Sequence, residues 1–493
     1  GVVTDSWNHR TFPQWAMWKP LTDYWARAAE VLEPGRPQTD VAIYRDGFIT
    51  TAARITDLLG EMVAPVAHPR PHPLFDGEPL ERAGYTLGYV DPVGVRQGQV
   101  RGAGTLFPRR SAYRALVVDE RSLPARTAVA LDRASAAGLQ VVFVGTLPSR
   151  SPSGRAPAAE DRTVRRAVRR IRGRATTRVV AHQSDAAGAL AAMGLQPAAR
   201  WSTPAPLYTQ RRTVGRDAVY YVWNAGDDTV RTTASFLAAG LPRQLDLWNG
   251  TITELAEYRQ TGGRMAVPLT LGPGEATVFA FRGAPQHFAH VTRTTAQSAT
   301  LDGNRIALTG AGGKRVSVRF SNGDTRRVTL PAAPAAMPLT DWKLQVQAAL
   351  PTGTLGLTGT GLGDWRDQPA LATASGVGTY TAKVTLPADF AGGATLDLGK
   401  IDGAAQVYLN DTLITRELSP DHPVDVGNAL RGGDNTIRVV LSTTLRNAAL
   451  AVLPVTTLSR PTFATNSTTQ AYGLVGPVTL APYARADIRR PHV

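Results

Sequence analysis

The residues best suited to chemistry lie near the start of the chain. Asp5 is followed by an indole, an amide, an imidazole and a guanidinium at successive positions, namely Trp7, Asn8, His9 and Arg10. Aromatic rings stack on apolar faces of ring-shaped ligands such as sugars, and the three polar side chains can hydrogen-bond hydroxyl groups. We therefore predict that these four residues line a substrate pocket. The alternative is a terminal loop with only a packing role.

Other titratable clusters are weaker candidates. Asp119-Glu120 and Glu160-Asp161 are adjacent acids of the kind that hold a cation, yet adjacent acids at strand ends or helix caps usually stay solvated. His68 and His72 lie four residues apart, but the prolines around them break the helix that would place both rings on one face. We predict no metal site in this chain.

The chain is strongly basic, with a net charge of +15 and a pI of about 10.4. Nucleic acid is the usual partner of such a chain. Here the excess is almost wholly arginine, since only five of the 54 basic residues are lysines, and no nucleic-acid-binding motif accompanies it. We predict no nucleic-acid partner. Affinity for an acidic polysaccharide or another polyanion is the alternative that the charge leaves open.

The absence of cysteine excludes disulfides, cysteine-ligated zinc and thiol nucleophiles. No run of 18 apolar residues is present, so we expect no membrane span. The first residues lack the basic and apolar regions of a signal peptide and read like the middle of a domain. We therefore expect a processed or truncated chain.

The predicted secondary structure that must position these residues differs from one part of the chain to the next. Residues 12–33 carry aromatic and aliphatic residues at helical spacings and predict a helix that Pro34-Gly35 ends. Residues 38–200 alternate solid apolar runs with amphipathic segments, one of them at 51–62, which predicts a Rossmann-like parallel sheet covered by helices. No G-x-G-x-x-G follows its first strand, so a structural role is favoured over nucleotide binding. Beyond residue 215, short alternating strands and glycine-rich turns predict antiparallel sandwiches.

Two segments carry a resemblance to known families. Residues 15–47, "WAMWKPLTDYWARAAEVLEPGRPQTDVAIYRDG", are similar to the stretch of glycoside hydrolase family 106 where the last barrel helix runs into the next domain. Residues 396–443 and 473–483, with opening strands at 364–387, resemble the sugar-binding jelly roll of glycoside hydrolase family 2, which also closes the family 106 enzymes. The order of these segments is more specific than either one alone.

The resemblance implies a multidomain architecture with four regions. Residues 1–37 would be the last segment of a catalytic (β/α)8 barrel, and residues 38–212 a Rossmann-like α/β domain. Residues 213–337 would be a small antiparallel β-sandwich region, and residues 338–493 a galactose-binding-like jelly roll. In such a barrel the loop at 7–12 would lie at the carboxyl end of the last strand, where barrel active sites form. This placement agrees with the predicted substrate pocket.

The resemblance also implies a catalytic apparatus. Family 106 enzymes, which include α-L-rhamnosidases, use a pair of carboxylic acids and a calcium ion, and those residues would lie upstream of Gly1. No catalytic carboxylate is therefore assigned in this chain, and no cofactor is expected within it. In the jelly roll, five residues either line a sugar site or belong to a scaffold. They are Trp365, Arg366, Asp402, Tyr408 and His422.

We expect the C-terminal part of a secreted bacterial glycoside hydrolase resembling the α-L-rhamnosidases, which cleaves terminal sugars from glycans. Its partner would be a carbohydrate, such as a rhamnose-containing glycan. The alternative is a non-catalytic carbohydrate-binding or scaffold protein. Whether a barrel with paired carboxylates precedes Gly1 separates the two hypotheses.

Overall fold

The computed structural model describes residues 12–45, 77–102, 104–152, 156–283, 288–349, 356–427, 429–452 and 468–492. The chain divides into two compact units. The α/β unit comprises Leu32–Arg243 and Arg259–Ala284, and the β unit comprises Gly1–Val31, Gln244–Tyr258 and Pro285–Val493. The amphipathic segment predicted at residues 51–62 lies outside the described residues.

Seven α-helices occur in the described residues. They are α1 (Trp15–Leu32), α2 (Glu78–Arg82), α3 (Pro92–Gln97), α4 (Ala125–Ala136), α5 (Pro157–Arg172), α6 (Ala186–Ala192) and α7 (Arg446–Val452). The strands up to residue 282 are β1 (Arg36–Pro37), β2 (Val41–Tyr44), β3 (Leu87–Val90), β4 (Val100–Arg101), β5 (Thr105–Leu106), β6 (Ala115–Val118), β7 (Gln140–Val144), β8 (Thr177–Val180), β9 (Ala199–Trp201), β10 (Leu207–Val214), β11 (Asp217–Asn224), β12 (Val230–Phe236), β13 (Leu241–Asp246), β14 (Thr251–Glu254), β15 (Arg259–Thr261), β16 (Arg264–Leu271) and β17 (Ala276–Arg282).

The strands after residue 290 pair in antiparallel fashion. They are β18 (Val291–Thr294), β19 (Ser298–Asp302), β20 (Arg305–Gly310), β21 (Arg315–Phe320), β22 (Thr325–Thr329), β23 (Met337–Pro338), β24 (Lys343–Ala348), β25 (Gly356–Thr360), β26 (Gly376–Leu386), β27 (Gly393–Asp397), β28 (Lys400–Asp402), β29 (Ala404–Leu409), β30 (Thr412–Thr415), β31 (Val424–Asp425), β32 (Gly433–Ser442), β33 (Gly473–Gly476) and β34 (Thr479–Arg489).

The α/β unit contains a parallel sheet with the strand order β3-β2-β6-β7-β8. Alternate residues of each strand face opposite sides, so that Ala42 and Tyr44 pack with α4 and α5 whereas Val41 and Ile43 pack with α2 and α6. Both faces are therefore buried, which explains why the strands read as uninterrupted apolar runs. The prediction of a helix-covered parallel sheet is confirmed.

Two antiparallel sheets follow in the same unit. One contains the strands β1-β10-β11-β17 in that order, and the other contains β15-β16-β12-β9. Their shared core is aromatic: Phe236 of β12 lies 4.6 Å from the Tyr220 ring of β11 and 5.3 Å from the Phe279 ring of β17. The Tyr220 hydroxyl donates to the Leu237 carbonyl, which satisfies its polar end inside the core.

The β unit is built around the long strand β34. Its first half pairs with β27, and its second half pairs with β20, so one strand serves two sheets. The strands β25-β24-β26-β32-β29-β30 form a further antiparallel sheet, and the core that it shares with β27 and β34 includes Trp365, Tyr380 and Tyr472. Within the described residues this unit is a set of antiparallel sheets together with helix α1 and two short helical segments, α7 and the 3-10 turn at Trp365–Asp367.

Helix α1 agrees with the predicted helix at 12–33. The Tyr24 ring lies against the Trp248 ring with centroids 4.4 Å apart and a tilt of 36°, and Arg27 donates to the carbonyl groups of Leu247 and Trp248. A different face of α1 exposes 41% of Trp15 and 52% of Trp25.

The described chain is mostly β-sheet and multidomain, as predicted. The (β/α)8-barrel origin of residues 1–37 and the galactose-binding-like jelly roll stay predictions. No described helix has the length and apolar character needed to span a bilayer.

Candidate carbohydrate-binding site

A pocket of about 510 Å³ lies in the β unit where three segments meet. One wall is the proline-rich segment 331–334 that follows β22, and another is the turn 387–392 that joins β26 to β27. The third wall comes from Ala484 and Arg485 of β34. The volume lies within the usual range for small-molecule sites.

The turn at 387–392 is shaped by a local hydrogen bond and a glycine. The backbone N–H of Phe390 donates to the Pro387 carbonyl at 3.0 Å, which closes the turn. A Cβ atom at Gly392 would collide with the Tyr483 carbonyl and the Phe390 ring. The absence of a side chain at Gly392 therefore lets the Phe390 ring lie against the backbone of the turn.

The lining of the pocket combines an apolar surface with two charged groups. Phe390 and three prolines, Pro331, Pro334 and Pro387, supply the apolar surface. Asp389 supplies a carboxylate, which can accept hydrogen bonds from hydroxyl groups. Arg485 supplies a guanidinium, which can donate hydrogen bonds to them. This combination suits a ring with an apolar face and a polar rim, such as a sugar.

Arg485 is held in place by two carboxylates. Its Nε atom donates to Asp487 at 3.1 Å, and a terminal nitrogen donates to Asp302 at 2.9 Å. The hydrogen bond that Arg485 donates to Asp487 is the largest cause that raises the pKa of Arg485 above its usual value, and Asp302 adds to the effect. The guanidinium therefore stays charged and keeps a fixed orientation at the pocket wall.

The pocket carries one carboxyl group. Hydrolysis of a glycosidic bond needs two, roughly 5–9.5 Å apart. Asp389 is the acid among the described residues that line the pocket. The geometry therefore fits binding of a sugar better than its hydrolysis.

The four residues predicted to line a substrate pocket, Trp7, Asn8, His9 and Arg10, lie outside the described residues, as do His68 and His72. Their assignment stays a prediction.

None of the five candidates of the predicted jelly roll lines the 510 Å³ pocket. Trp365 is fully buried, and its indole N–H donates to the Tyr380 hydroxyl at 2.7 Å, so its ring is part of the core. The guanidinium of Arg438 covers the Tyr408 ring at 3.9 Å.

The remaining three candidates each have a charged partner nearby in sequence. Arg366 pairs with Asp364, Asp402 with Lys400, and His422 with Glu417. The hydrogen bond to Asp364 is the main reason that the pKa of Arg366 is raised. Each pair joins side chains at most five residues apart in the chain, and the charge of Asp402 also contributes to the raised pKa of Arg366.

The adjacent acids act as local hydrogen-bond acceptors. The Asp119 carboxylate accepts from Gln183, Glu160 accepts from the Ser151 hydroxyl, and Asp161 accepts from the Ser151 backbone N–H. Among the described residues, no group of three histidine or acidic side chains is placed to hold a metal ion.

Sequence reasoning missed Phe390, Asp389 and the prolines. Their segments lie far apart in the chain, and each reads as an ordinary turn or linker. A Pro-x-Asp-Phe turn before two glycines, Gly392-Gly393, was the signal available, because glycines often mark a close backbone approach.

Comparison with known proteins reveals a likeness to a solved structure. No protein-family model and no curated protein matches the sequence. A rhamnosidase from Novosphingobium sp. PP1Y is 20% identical with a TM-score of 0.63, and the match covers 97% of this chain and 42% of that one. The chain shares its fold with part of a rhamnosidase. It therefore has a glycoside-hydrolase-like fold and spans less than half the length of that enzyme.

Weaker likenesses include two β-galactosidases. One is Gan42B, a GH42 enzyme, at 9% identity and a TM-score of 0.27, covering 50% of this chain and 40% of that one. The other is from Bacillus circulans sp. alkalophilus, at 11% identity and a TM-score of 0.27, covering 50% of this chain and 42% of that one.

Proposed function

We propose that this chain is the C-terminal part of a secreted glycoside hydrolase of the α-L-rhamnosidase type, whose catalytic carboxylates lie on a barrel upstream of the chain. The fold likeness supports this, because it spans nearly all of this chain but only 42% of the rhamnosidase. The remainder of such an enzyme has room for a catalytic domain. The activity would be removal of terminal sugars, such as rhamnose, from glycans, with calcium bound in the catalytic part.

The exposed face of α1 supports an upstream domain. Trp15, Trp18 and Trp25 are spaced by three and seven residues and so share one side of the helix. The rings of Trp18 and Trp25 meet edge to face at 6.5 Å, and Trp15 and Trp25 are largely exposed. Adjoining exposed indoles are typical of a surface that another domain covers. In this proposal the catalytic barrel covers the exposed indole rings of α1.

The single carboxylate of the 510 Å³ pocket is the observation that supports a separation of sugar binding from catalysis. One acid, one aromatic ring and a fixed guanidinium suffice to hold a sugar but not to cleave a glycosidic bond. The pocket would therefore bind a part of the glycan while the upstream carboxylates cleave it. The same observation favours the second candidate, a carbohydrate-binding protein without hydrolysis.

An activity comparison tests the enzyme proposal. The polypeptide encoded by the natural gene is purified, its intact mass is measured, and its hydrolysis of 4-nitrophenyl α-L-rhamnopyranoside is compared with that of this chain alone. A mass far above 52.5 kDa together with activity confined to the longer polypeptide is the expected result. A natural mass near 52.5 kDa, or a longer polypeptide inactive on aryl glycosides, would overturn the proposal in favour of binding alone.

A binding experiment tests the pocket separately. Titration of the 493-residue chain with rhamnose-containing oligosaccharides is compared between wild type, Phe390→Ala and the control Tyr89→Ala, which removes a ring that is 54% exposed in the α/β unit. Loss of the Phe390 ring should weaken binding by on the order of tenfold, since a buried ring contact contributes about 1–1.5 kcal/mol. Equal weakening in both variants would show that the pocket is not the site.

A further inference from the structure

A second concave site lies in the α/β unit and is lined by arginines. It is a groove of about 370 Å³ between α3, α4 and α5. Arg126, Val129, Ala130 and Arg133 of α4 line it, at positions that share one helix face. Arg96 of α3 lines it from another side. The groove thus places three guanidinium groups around an apolar floor.

Neighbouring interactions position Arg96 and leave the groove positive. Arg96 donates one N–H to the Thr127 hydroxyl at 3.3 Å, which holds its guanidinium beside the first turn of α4. The acid that follows Leu131 on the same helix, Asp132, is already shared by Arg170 and Arg174 at 2.7 Å each. In the described part of the chain, none of the three groove arginines forms an ion pair with a carboxylate.

The start of α4 adds to the positive potential. Ala125, its first residue, lines the groove, and Pro124 at the N-cap provides no side-chain acceptor for the first backbone N–H groups. The N-terminal end of this 12-residue helix carries a partial positive charge. Arg96, Arg126 and Arg133 are exposed. Three guanidinium groups beside an uncapped helix start give the groove a positive potential, which favours a bound anion.

We propose that this groove binds a compact oxyanion, a sulfate or phosphate group that is either free or carried on a sugar. Its concave shape and its volume admit a ligand of about the size of a mono- or disaccharide. The bidentate geometry of arginine matches the oxygens of such a group. This site is independent of the proposed hydrolase activity, and no residue of it belongs to the 510 Å³ pocket.

The test is isothermal titration of the 493-residue chain, at low ionic strength, with inorganic sulfate in one arm and glucose 6-phosphate in another. The variant Arg126→Ala/Arg133→Ala should bind both probes at least about tenfold more weakly, because each lost charge-assisted bond costs about a factor of ten or more. The control Arg293→Ala/Arg319→Ala removes the same charge from exposed positions of the β unit and should bind as wild type does. Tighter binding of glucose 6-phosphate would identify the sugar-borne anion, and tighter binding of sulfate the free ion.

Three results would overturn the inference. The first is equal weakening in both double variants, which would mean that binding follows net charge. The second is binding of neither probe by the wild-type chain. The third is preference for a short DNA duplex with a steep salt dependence, which would indicate a nucleic-acid surface. Circular dichroism checks the fold of each variant, and the single change Arg133→Gln, at an exposed position, serves if the double variant does not fold.

Discussion

Replacement of His290 by phenylalanine should make the β unit less sensitive to acid. The imidazole of His290 lies parallel to the Tyr258 ring at a centroid distance of 3.8 Å, with an interplanar angle of 7°. Its Nδ1 atom is buried and has no hydrogen-bond partner among the described residues. A phenylalanine retains the stacked ring and removes the group that titrates.

The size of the effect follows from the pKa of His290. Burial, and then the nearby charge of Arg490, lowers that pKa from 6.5 to about 4. The unfolded chain therefore binds a proton at this residue near pH 6.5, whereas the folded chain does so only near pH 4. The stability that the neutral ring contributes is complete above pH 6.5 and is lost as the pH falls towards 4. The difference corresponds to about 3 kcal/mol, reduced to about 2 kcal/mol because the side chain is partly exposed.

Urea unfolding at pH 7 and pH 4.5 measures the effect. Between these two pH values the wild-type chain should lose about 2 kcal/mol more of its unfolding free energy than His290→Phe. His182→Asn, which changes an exposed histidine and keeps a capping acceptor, should behave like wild type. Equal acid sensitivity of wild type and His290→Phe would refute the assignment.

Three further substitutions give separate expectations. Asp132→Asn should destabilise the α/β unit by about 1–3 kcal/mol in urea, because two arginines share this carboxylate. Burial raises the pKa of Asp132, but these hydrogen bonds lower it overall, so the loss should shrink only below about pH 4 and disappear as the pH falls through the lowered pKa. Trp365→Ala should cost about 3–5 kcal/mol of stability, whereas a sugar-contacting tryptophan would mainly lose binding. Asp411→Gly should raise the unfolding free energy by about 0.5 kcal/mol. Asn410 and Asp411 form a two-residue hairpin loop in which both residues have positive φ, a backbone conformation that favours glycine. A lower melting temperature of this variant would contradict the expectation.

The parallel sheet could be predicted because its inner strands are buried on both faces. Residues 41–44, 115–118 and 140–144 contain almost no polar side chain, and burial of both faces requires that pattern. Strand β3 was not predicted, because it lies at the sheet edge and half of its surface faces water. Gly88 and the exposed Tyr89 interrupt the apolar run there, so the sequence does not distinguish this strand from a loop.

The candidate pocket could not be predicted because its walls meet only in the folded chain. β34 pairs with both β20 and β27, and this long-range pairing is what brings Arg485 beside Phe390. Trp365 was instead a candidate for sugar binding that the structure does not support. Its residue type favours sugar binding, but its buried position does not. Its indole N–H finds the Tyr380 hydroxyl in the core, a partner that only the tertiary fold supplies.

Arginine has two opposite roles in the α/β unit, and net charge does not separate them. Arg114 neutralises the buried Asp40, whose carboxylate also accepts from the backbone N–H groups of Thr86 and Ala198, so this arginine holds the start of the parallel sheet together. Arg170 of α5, and Arg174 just beyond the end of that helix, bind Asp132 of α4 in the same way. Such paired arginines contribute to the charge of +15 but present little free charge to a partner. Arg96, Arg126 and Arg133 differ because they share one groove without a described counter-ion. Local concentration of unpaired charge in a concave site, and not the total charge, is therefore the feature that favours an anionic ligand.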